Sequence, residues 1–321
     1  MKRILVLVIA LLLAGSAFAE TIDWTQYSDE ELIAMRSAIN AELASRTAPP
    51  EASPLDDFVI VTNGVEARVR SYTGSAADVV VPSEYEGCPV TSIGDEAFRG
   101  NKNLVSVYIP GCVREVGDSA FYKCSNLTTV VFGDSTGSLT LGETSFLGLT
   151  SLKTLQFSRT RYTSLSVGWR ALESVGHQGV LVINAGRVRV PQSTMAKMKN
   201  MTGLILLCDR ISLGESALDG CTATEFVYMP EDAVLTLTRP INSDSGHLRA
   251  MTGCTVMMFP DQVSGIIEET FTRTPNMTIY CSEDSNAIGP CRNLFMPINT
   301  KDYQQKADEL LQIAADMGYV W

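Results

Sequence analysis

Side chains able to move a proton near neutral pH are few, since His177 and His247 are the only histidines among 321 residues. Histidine serves most often as a general base because its pKa lies near neutrality, but it must be held within hydrogen-bond reach of a reacting group. His177 stands in Val175-Gly-His-Gln-Gly179, between an apolar position and a strand, where a solvated loop histidine is expected; the same reading covers His247. No His-Glu-x-x-His, Walker or dinucleotide fingerprint is present. The acidic pairs Asp56-Asp57, Glu268-Glu269 and Glu283-Asp284 are adjacent in sequence, which points them apart on a strand and into solvent on a turn, so two-carboxylate catalysis is not indicated. These residues argue against an enzyme, with an unrecognised hydrolase as a distant third reading, and they call for no cofactor or metal.

The elements that carry them are set by an internal repeat. Ser92-Ile-Gly-Asp-Glu-Ala-Phe98 and Glu115-Val-Gly-Asp-Ser-Ala-Phe121 share one pattern of apolar, Gly, two polar, Ala and Phe, offset by 23 residues. Each Phe is followed at six, nine and eleven residues by Leu104, Val107 and Ile109, or by Leu127, Val130 and Phe132. The frame continues through Leu141-Gly-Glu-Thr-Ser-Phe146, Val167-Gly-Trp-Arg-Ala-Leu172, Val190-Pro-Gln-Ser-Thr-Met195 and Leu213-Gly-Glu-Ser-Ala-Leu218, with looser copies on Leu248 and Phe271. The resulting anchor spacings of 23, 25, 26, 23, 23, 30 and 23 residues fall mostly in the leucine-rich-repeat range, where one short strand plus a turn or helical piece makes one coil. A single coil cannot bury its own apolar face, so the fold class is a repeat solenoid with a parallel β-sheet on one face. Seven or eight coils at about 4.8 Å give a rod on the order of 35 Å. In the best copy Ile93 and Phe98 point inward, Gly94 permits a turn conformation closed to residues with a side chain, and Ala97 allows close approach. Leu104, Val107 and Ile109 form the buried face of a strand that Pro110 stops.

The same frame sorts the eight cysteines. Cys124 and Cys221 sit three residues after an anchor, where other coils carry Asn101, Leu149, Met198 and Met251, so they read as buried thiols. Cys88 and Cys112 lie ten and nine residues before successive anchors, and stacking brings them near the Cα separation of about 4.4–6.8 Å that a disulfide requires. Cys281 and Cys291 flank a terminal loop that a bridge would staple, Cys208 and Cys254 have no evident partner, and no pair has metal-ligand spacing.

Residues 1–19 read as a secretory signal peptide, with Lys2 and Arg3 before an apolar run over 4–13 and a small-residue ending at Ala17-Phe18-Ala19. The run is shorter than the roughly 20 residues that span a bilayer. Glu20, Thr21 and Ile22 follow, with no cysteine for a lipid anchor. Loss of Lys2 and Arg3 moves the formal charge from −11 to −13, a surface that repels phosphate backbones and anionic lipid, so neither nucleic acid nor membrane insertion is expected. Residues 20–47 are expected to form an amphipathic helix, with a capping-box spacing at Ser28 and Glu31 and a stripe of Leu32, Met35, Ile39 and Leu43. A stiff Pro-rich linker follows over 48–56, the solenoid over 57–300 and a C-terminal capping helix over 301–321, with Tyr303, Ala307, Leu310, Ala314 and Met317 at helical spacing and Gly318 suited to end it.

Ile93-Gly-Asp-Glu-Ala-Phe98 and Val116-Gly-Asp-Ser-Ala-Phe-Tyr-Lys-Cys-Ser-Asn-Leu127 resemble the BspA-type leucine-rich-repeat family of bacterial secreted and surface proteins. The opening segments Tyr72-Thr-Gly74, Val79-Val-Val-Pro82 and Gly87-Cys-Pro-Val-Thr-Ser-Ile93 look like that family's usual start. The resemblance covers about 57–300 and is most specific in the first two coils. It implies adhesion, or recognition of a protein or glycan at the cell surface, and names no ligand, because the repeat fixes a scaffold and leaves the outward side chains free.

Those outward side chains lie eight and ten residues after each anchor, alternating with buried ones. At plus eight they are Ser106, Thr129, Thr154, Val180, Gly203, Phe226 and Val256; at plus ten, Tyr108, Val131, Gln156, Val182, Ile205, Tyr228 and Met258. The late coils are apolar where a free sheet face should be polar, so Val180, Val182, Ile205, Phe226, Tyr228, Val256 and Met258, with Tyr108, form the candidate partner-binding set. Either an external partner covers this surface or a lid such as the helix over 28–46 does; a one-residue slip in the degenerate coils would instead make these residues core. The expected function is an exported, non-enzymatic binding module acting through the outward sheet face. The alternative is a structural or assembly component of the envelope, making homotypic contacts through the N-terminal helix or a sheet edge.

Overall fold

The computed structural model describes residues 50–238 and 246–319. The expected leader over 1–19, the amphipathic helix over 20–47 and the start of the linker lie outside them. None of the helices among the described residues is long and apolar enough to cross a membrane.

The runs that begin about eight residues after each anchor form the first ladder of a parallel solenoid. Strands Asp78–Val80, Ser106–Ile109, Thr129–Phe132 and Thr154–Gln156 make one four-stranded sheet. The stack continues through Gly179–Val190, Met201–Leu213, Phe226–Tyr228, Val256–Met258, Thr278–Tyr280 and Ile298–Asn299. Ten coils stand where seven or eight were expected, because one precedes the first anchor and another follows the last. Ser106 pairs with Thr129 and Thr129 with Thr154, while Val182 pairs with Ile205 and Ile205 with Tyr228. The plus-eight and plus-ten positions therefore stay in register through the coil anchored on Leu248 although the coils differ in length; only after Phe271 does the frame shift by one, Val256 pairing with Thr278 and Met258 with Tyr280.

A second ladder, on an adjoining side of the coil, was not read from the sequence. It runs through Ala67–Tyr72, Cys88–Ile93, Glu115–Val116, Ser138–Leu141, Tyr162–Val167, the later halves of the two long strands, Val234–Leu237 and Gln262–Ser264. Its signal is the alternation immediately before the Gly slot: Leu139 and Leu141, Leu165 and Val167, Val188 and Val190, Ile211 and Leu213 are all buried, with exposed or half-exposed residues between them. The sequence expectation placed Ile93 inward without a strand, whereas Ile93, Val116, Leu141, Val167, Val190 and Leu213 each end one.

The third side is the anchor turn. Every anchor amide donates to the residue before the next anchor: Phe98 to the Ala120 carbonyl at 2.9 Å, Phe121 to Ser145 at 2.8 Å, Leu172 to Thr194 at 2.9 Å, and so on to Leu248 and Thr270 at 3.2 Å. The inward rings stack with the same pitch, 5.2 Å from Tyr72 to Phe98, 4.8 Å to Phe121 and 5.0 Å to Phe146. An antiparallel pair, Phe58–Thr62 on Ala67–Tyr72, closes the N-terminal end and adds the Phe58 ring 5.0 Å from Tyr72.

The glycine of the repeat has a different task from the expected one. A Cβ on Gly117 would lie 2.5 Å from the Asp95 amide nitrogen, and one on Gly142 2.6 Å from that of Asp118, so the slot is kept bare by the backbone of the preceding coil. The left-handed conformations fall two residues either side of the anchor. Glu96, Ser119, Thr144, Arg170, Ser193 and Ser216 take positive φ before it; Gly100, Lys123, Gly148, Ser174, Lys197, Gly220, Ala250 and Arg273 take it after. Where the later slot carries a side chain, the left-handed backbone costs about 1–2 kcal/mol relative to glycine. Ser174→Gly, at φ 58°, is therefore expected to stabilise the protein by about 0.5–1 kcal/mol, read as a rise in urea midpoint; a fall would show that the Ser174 side chain contributes more than its backbone costs.

Candidate functional site

The outward faces of the early and late coils have different fates, and the division occurs at one break. Strand Thr154–Gln156 pairs with Thr129–Phe132 but not with Gly179–Val190, so the first ladder is interrupted between them. Side chains take over the orphaned backbone groups. His177 Nδ1 accepts the Leu155 amide at 3.1 Å, Tyr319 Oη donates to the Phe157 carbonyl at 3.3 Å, and Asn184 Nδ2 donates to the Arg159 carbonyl at 3.3 Å.

Tyr319 closes the segment that follows the C-terminal helix, Tyr303–Asp316. Tyr303, Ala307, Leu310 and Ala314 are buried as their spacing predicted, but Met317 is exposed and Tyr319 packs in its stead after Gly318 turns the chain at φ 82°. This helix was expected to cap the end of the stack; it lies instead on the outward face of the late coils, forming one apolar cluster with Val182, Ile205, Leu207, Tyr228 and Met258, with Val180, Phe226 and Val256 against its margin. Fourteen residues at about 1.5 Å each make a helix of about 21 Å. The five strands from Gly179–Val190 to Thr278–Tyr280 span four steps of about 4.8 Å, or about 19 Å. The lid and the apolar stretch match in length.

Seven of the eight side chains proposed for a partner are thus brought together, and the chain's own helix sits on them. Val182, Ile205 and Met258 have at most 1% of their surface exposed and Tyr228 has 4%, so no external partner reaches them with the helix seated. Among the described residues the lid is this C-terminal helix; the segment over 28–46 lies outside them. Tyr108 is separate, half-buried on the early sheet with its ring beside Gly133.

Other expectations are corrected as well. All eight cysteines are free thiols; neither Cys88 with Cys112 nor Cys281 with Cys291 is bridged. Cys112 Sγ contacts the Ser83 carbonyl at 3.5 Å, and Cys88 is buried at the start of its strand. Cys124 and Cys221 donate to the carbonyls of Phe98 and Met195, the preceding anchors, at 3.0 and 3.2 Å. Burial pushes these two thiols up to about 11 and about 12, away from the reactive thiolate. Both histidines are buried instead of solvated. His247 Nε2 lies 2.6 Å from the Thr238 carbonyl, and burial lowers the pKa of both rings, so each is a neutral packing element. Among the described residues no cluster of His, Cys, Asp or Glu could hold a metal ion.

One cavity of about 550 Å³ opens between the helix at Leu311 and the corner where the two ladders meet. Arg161 and Asp209 pair across its floor, and Glu231 and Asp261 stand on its wall beside Tyr228. Burial raises the Glu231 carboxyl and Asp261, Asp232 and Asp284 raise it further. The cavity has acidic walls, and burial pushes the thiol that lines it, Cys208, up to about 12, away from the reactive thiolate.

A family model described as the BspA type leucine rich repeat region matches residues 87–173, in six copies. The coils within that stretch are similar to BspA-type leucine-rich repeats. Among solved structures the chain is similar to a leucine-rich repeat protein of T. pallidum, at 17% identity over 78% of this chain and 98% of that one, with a TM-score of 0.36. It is similar to a leucine-rich cell surface protein of Faecalibacterium prausnitzii A2-165, at 15% identity, 74% and 96% coverage and a TM-score of 0.29, and to the pneumococcal vaccine antigen PcpA, at 13% identity, 70% and 79% coverage and a TM-score of 0.24. No curated protein matches it.

On the first ladder the outward face of the four-stranded early sheet is left uncovered by any described residue. It presents Ser106, Thr129 and Thr154 in one row and Tyr108, Val131 and Gln156 in the next, all exposed or half-exposed. Ser106 Oγ donates to Asp78 at 2.5 Å.

Two outcomes test this division. Leu310→Asp places a carboxylate in the apolar seam, which costs several kcal/mol if the helix stays docked, so the helix is expected to lift and apolar-dye fluorescence to rise, whereas Met317→Asp on the exposed side leaves it unchanged; equal dye binding by both would mean that the helix does not shield the late coils. Acid acts at the break. With its folded pKa held below the ordinary 6.5, His177 contributes stability that is complete above about pH 6.5 and declines as the unfolded chain takes up a proton that the native ring refuses. The wild-type urea midpoint should fall between about pH 7 and pH 5, and His177→Asn should flatten that fall; an unaltered slope would remove His177 from the account.

Proposed function

We propose that the protein is an exported, non-enzymatic binding module that recognises a protein or glycan at or beyond the cell envelope through the outward face of its early coils. One observation carries this reading: the chain covers the apolar half of its outward sheet with its own helix and leaves the hydroxyl-, amide- and tyrosine-bearing half open. Tyr, Ser, Thr and Gln on rigid strands offer adaptable hydrogen bonds at little entropic cost. The flat ladder spaces them at about 4.8 Å across and about 6.7 Å along the strands. The secretory character of residues 1–19 and the BspA-type repeats support an extracellular setting.

The test is an array of glycans and purified extracellular proteins probed with the mature chain and with a Thr129→Arg, Gln156→Arg variant, whose side chains are solvent-accessible. The expected result is a set of ligands that the wild type binds and the variant loses by at least about tenfold, or about 1.4 kcal/mol, with an unchanged unfolding midpoint. Ligands retained by the variant, or none for the wild type, would sink the assignment of this face.

A further inference from the structure

The second ladder carries a feature that the early face does not. Rows of outward side chains run along it: Ser164 pairs with Arg187 and Arg187 with Arg210, and beside them Ser166 pairs with Arg189 and Arg189 with Ser212. Three guanidinium groups on exposed positions are thereby gathered on two adjacent strands, about 4.8 Å apart across and about 6.7 Å along the chain. Arg187 and Arg210 are directly opposite, an arrangement that destabilises a sheet unless an anion relieves it.

None of the three forms an ion pair or hydrogen bond among the described residues, although six other arginines, Arg68, Arg99, Arg114, Arg161, Arg170 and Arg249, each hold a carboxylate. The acids nearest in the chain are engaged or remote. Asp209 belongs to Arg161, Asp232 lines the cavity around the corner, and Glu115 lies three ladder steps from Arg189. Those three steps are about 14 Å, beyond a Debye length at physiological salt. A concentrated positive patch therefore stands on a chain whose formal charge is −11.

We propose that this face binds an anionic polysaccharide, with sulfate or carboxylate groups seated on Arg187, Arg189 and Arg210. Guanidinium forks match such oxyanions in pairs of parallel hydrogen bonds. The flat sheet offers no pocket for a single small ion, so binding draws on several anions spaced along one chain. Hydroxyls flank the arginines through Ser164 and Ser166 on one side and, in the Arg189 row, through Ser212 and Thr236 on the other, while Val234 follows Arg210 in its row; the hydroxyls suit a polyhydroxylated ligand. Among the described residues the rows through Arg187, Arg189 and Arg210 carry no aromatic ring on which a nucleobase could stack, and their one apolar member, Val234, is half-buried.

The test uses the mature chain and an R187Q/R189Q/R210Q variant on immobilised dextran sulfate and polygalacturonate, with neutral dextran, poly-glutamate and phosphatidylserine vesicles alongside. At about 50 mM salt the wild type should be held by at least one anionic polysaccharide and not by dextran, and the variant should bind it at least about tenfold more weakly with a shallower salt dependence. The variant's unfolding midpoint should not fall, since exposed like charges are being removed. No retention on either polysaccharide, equal retention of the variant, or equally tight binding to poly-glutamate or vesicles would each overturn the proposal. A Thr129→Arg, Gln156→Arg chain should keep this binding, which separates the two faces.

Discussion

Successive coils are tied by two or three backbone bonds at the anchor turn and, apart from the break after Gln156, by two parallel ladders, and all of these advance by the same step of about 4.8 Å. That common pitch governs the rest of the molecule. It stacks the rings of Tyr72, Phe98, Phe121 and Phe146 at 4.8–5.2 Å, a spacing at which offset aromatic faces attract. It also leaves no room for a Cβ where Gly117 and Gly142 pass the coil before them. A residue's position relative to its anchor therefore fixes whether it is core, outward on one ladder or outward on the other, whatever its type. Length differences between coils up to the one anchored on Leu248 are absorbed at the corners, so they do not move a side chain from one face to another; only after Phe271 does a one-residue shift carry Ile279 into the core.

Because position fixes direction, type decides what each surface can do. The first ladder changes from Ser, Thr and Gln to Val, Ile, Phe and Met at the break between Gln156 and Gly179, and the chain answers with a helix as long as the apolar stretch. His177, Asn184 and Tyr319 satisfy the backbone groups exposed by the break. Tyr319 does so from the end of the lid itself. Cover and break are thus one device, and the boundary of the open face is set where the last turn of the lid reaches Phe157.

Much of this was legible in the sequence. The eight anchors, the plus-eight and plus-ten rows, and the helical spacing of Tyr303, Ala307, Leu310 and Ala314 follow from periodicity, which reports burial directly. What escaped has a physical reason in each case. The strand ending at Ile93 was hidden because its alternation is short and runs into a Gly that looks like a turn. The left-handed positions at Glu96 and Lys123 were hidden because the residues there are not glycines, so only the backbone reveals them. Cys88 and Cys112 occupy comparable slots, yet coil height alone cannot tell whether two side chains converge; one points into the core and the other to the rim. An apolar stripe on the sheet announces that something covers it, but not which of two amphipathic segments does so.

The arginines of the second ladder escaped for the same reason as the ladder itself. Read along the chain, Arg187 and Arg189 are two polar residues alternating with Val188 and Val190, and Arg210 is 21 residues away. Only the pairing of Arg187 with Arg210 makes them neighbours. On an isolated strand such charges would be dispersed by solvent at little cost; on a ladder they cannot separate by more than their side chains allow. The rigid step that makes the core regular thus also concentrates charge, and a solenoid with a net negative surface can hold a compact positive site without disturbing the packing beneath it, since Val188 and Ile211 remain fully buried under those arginines.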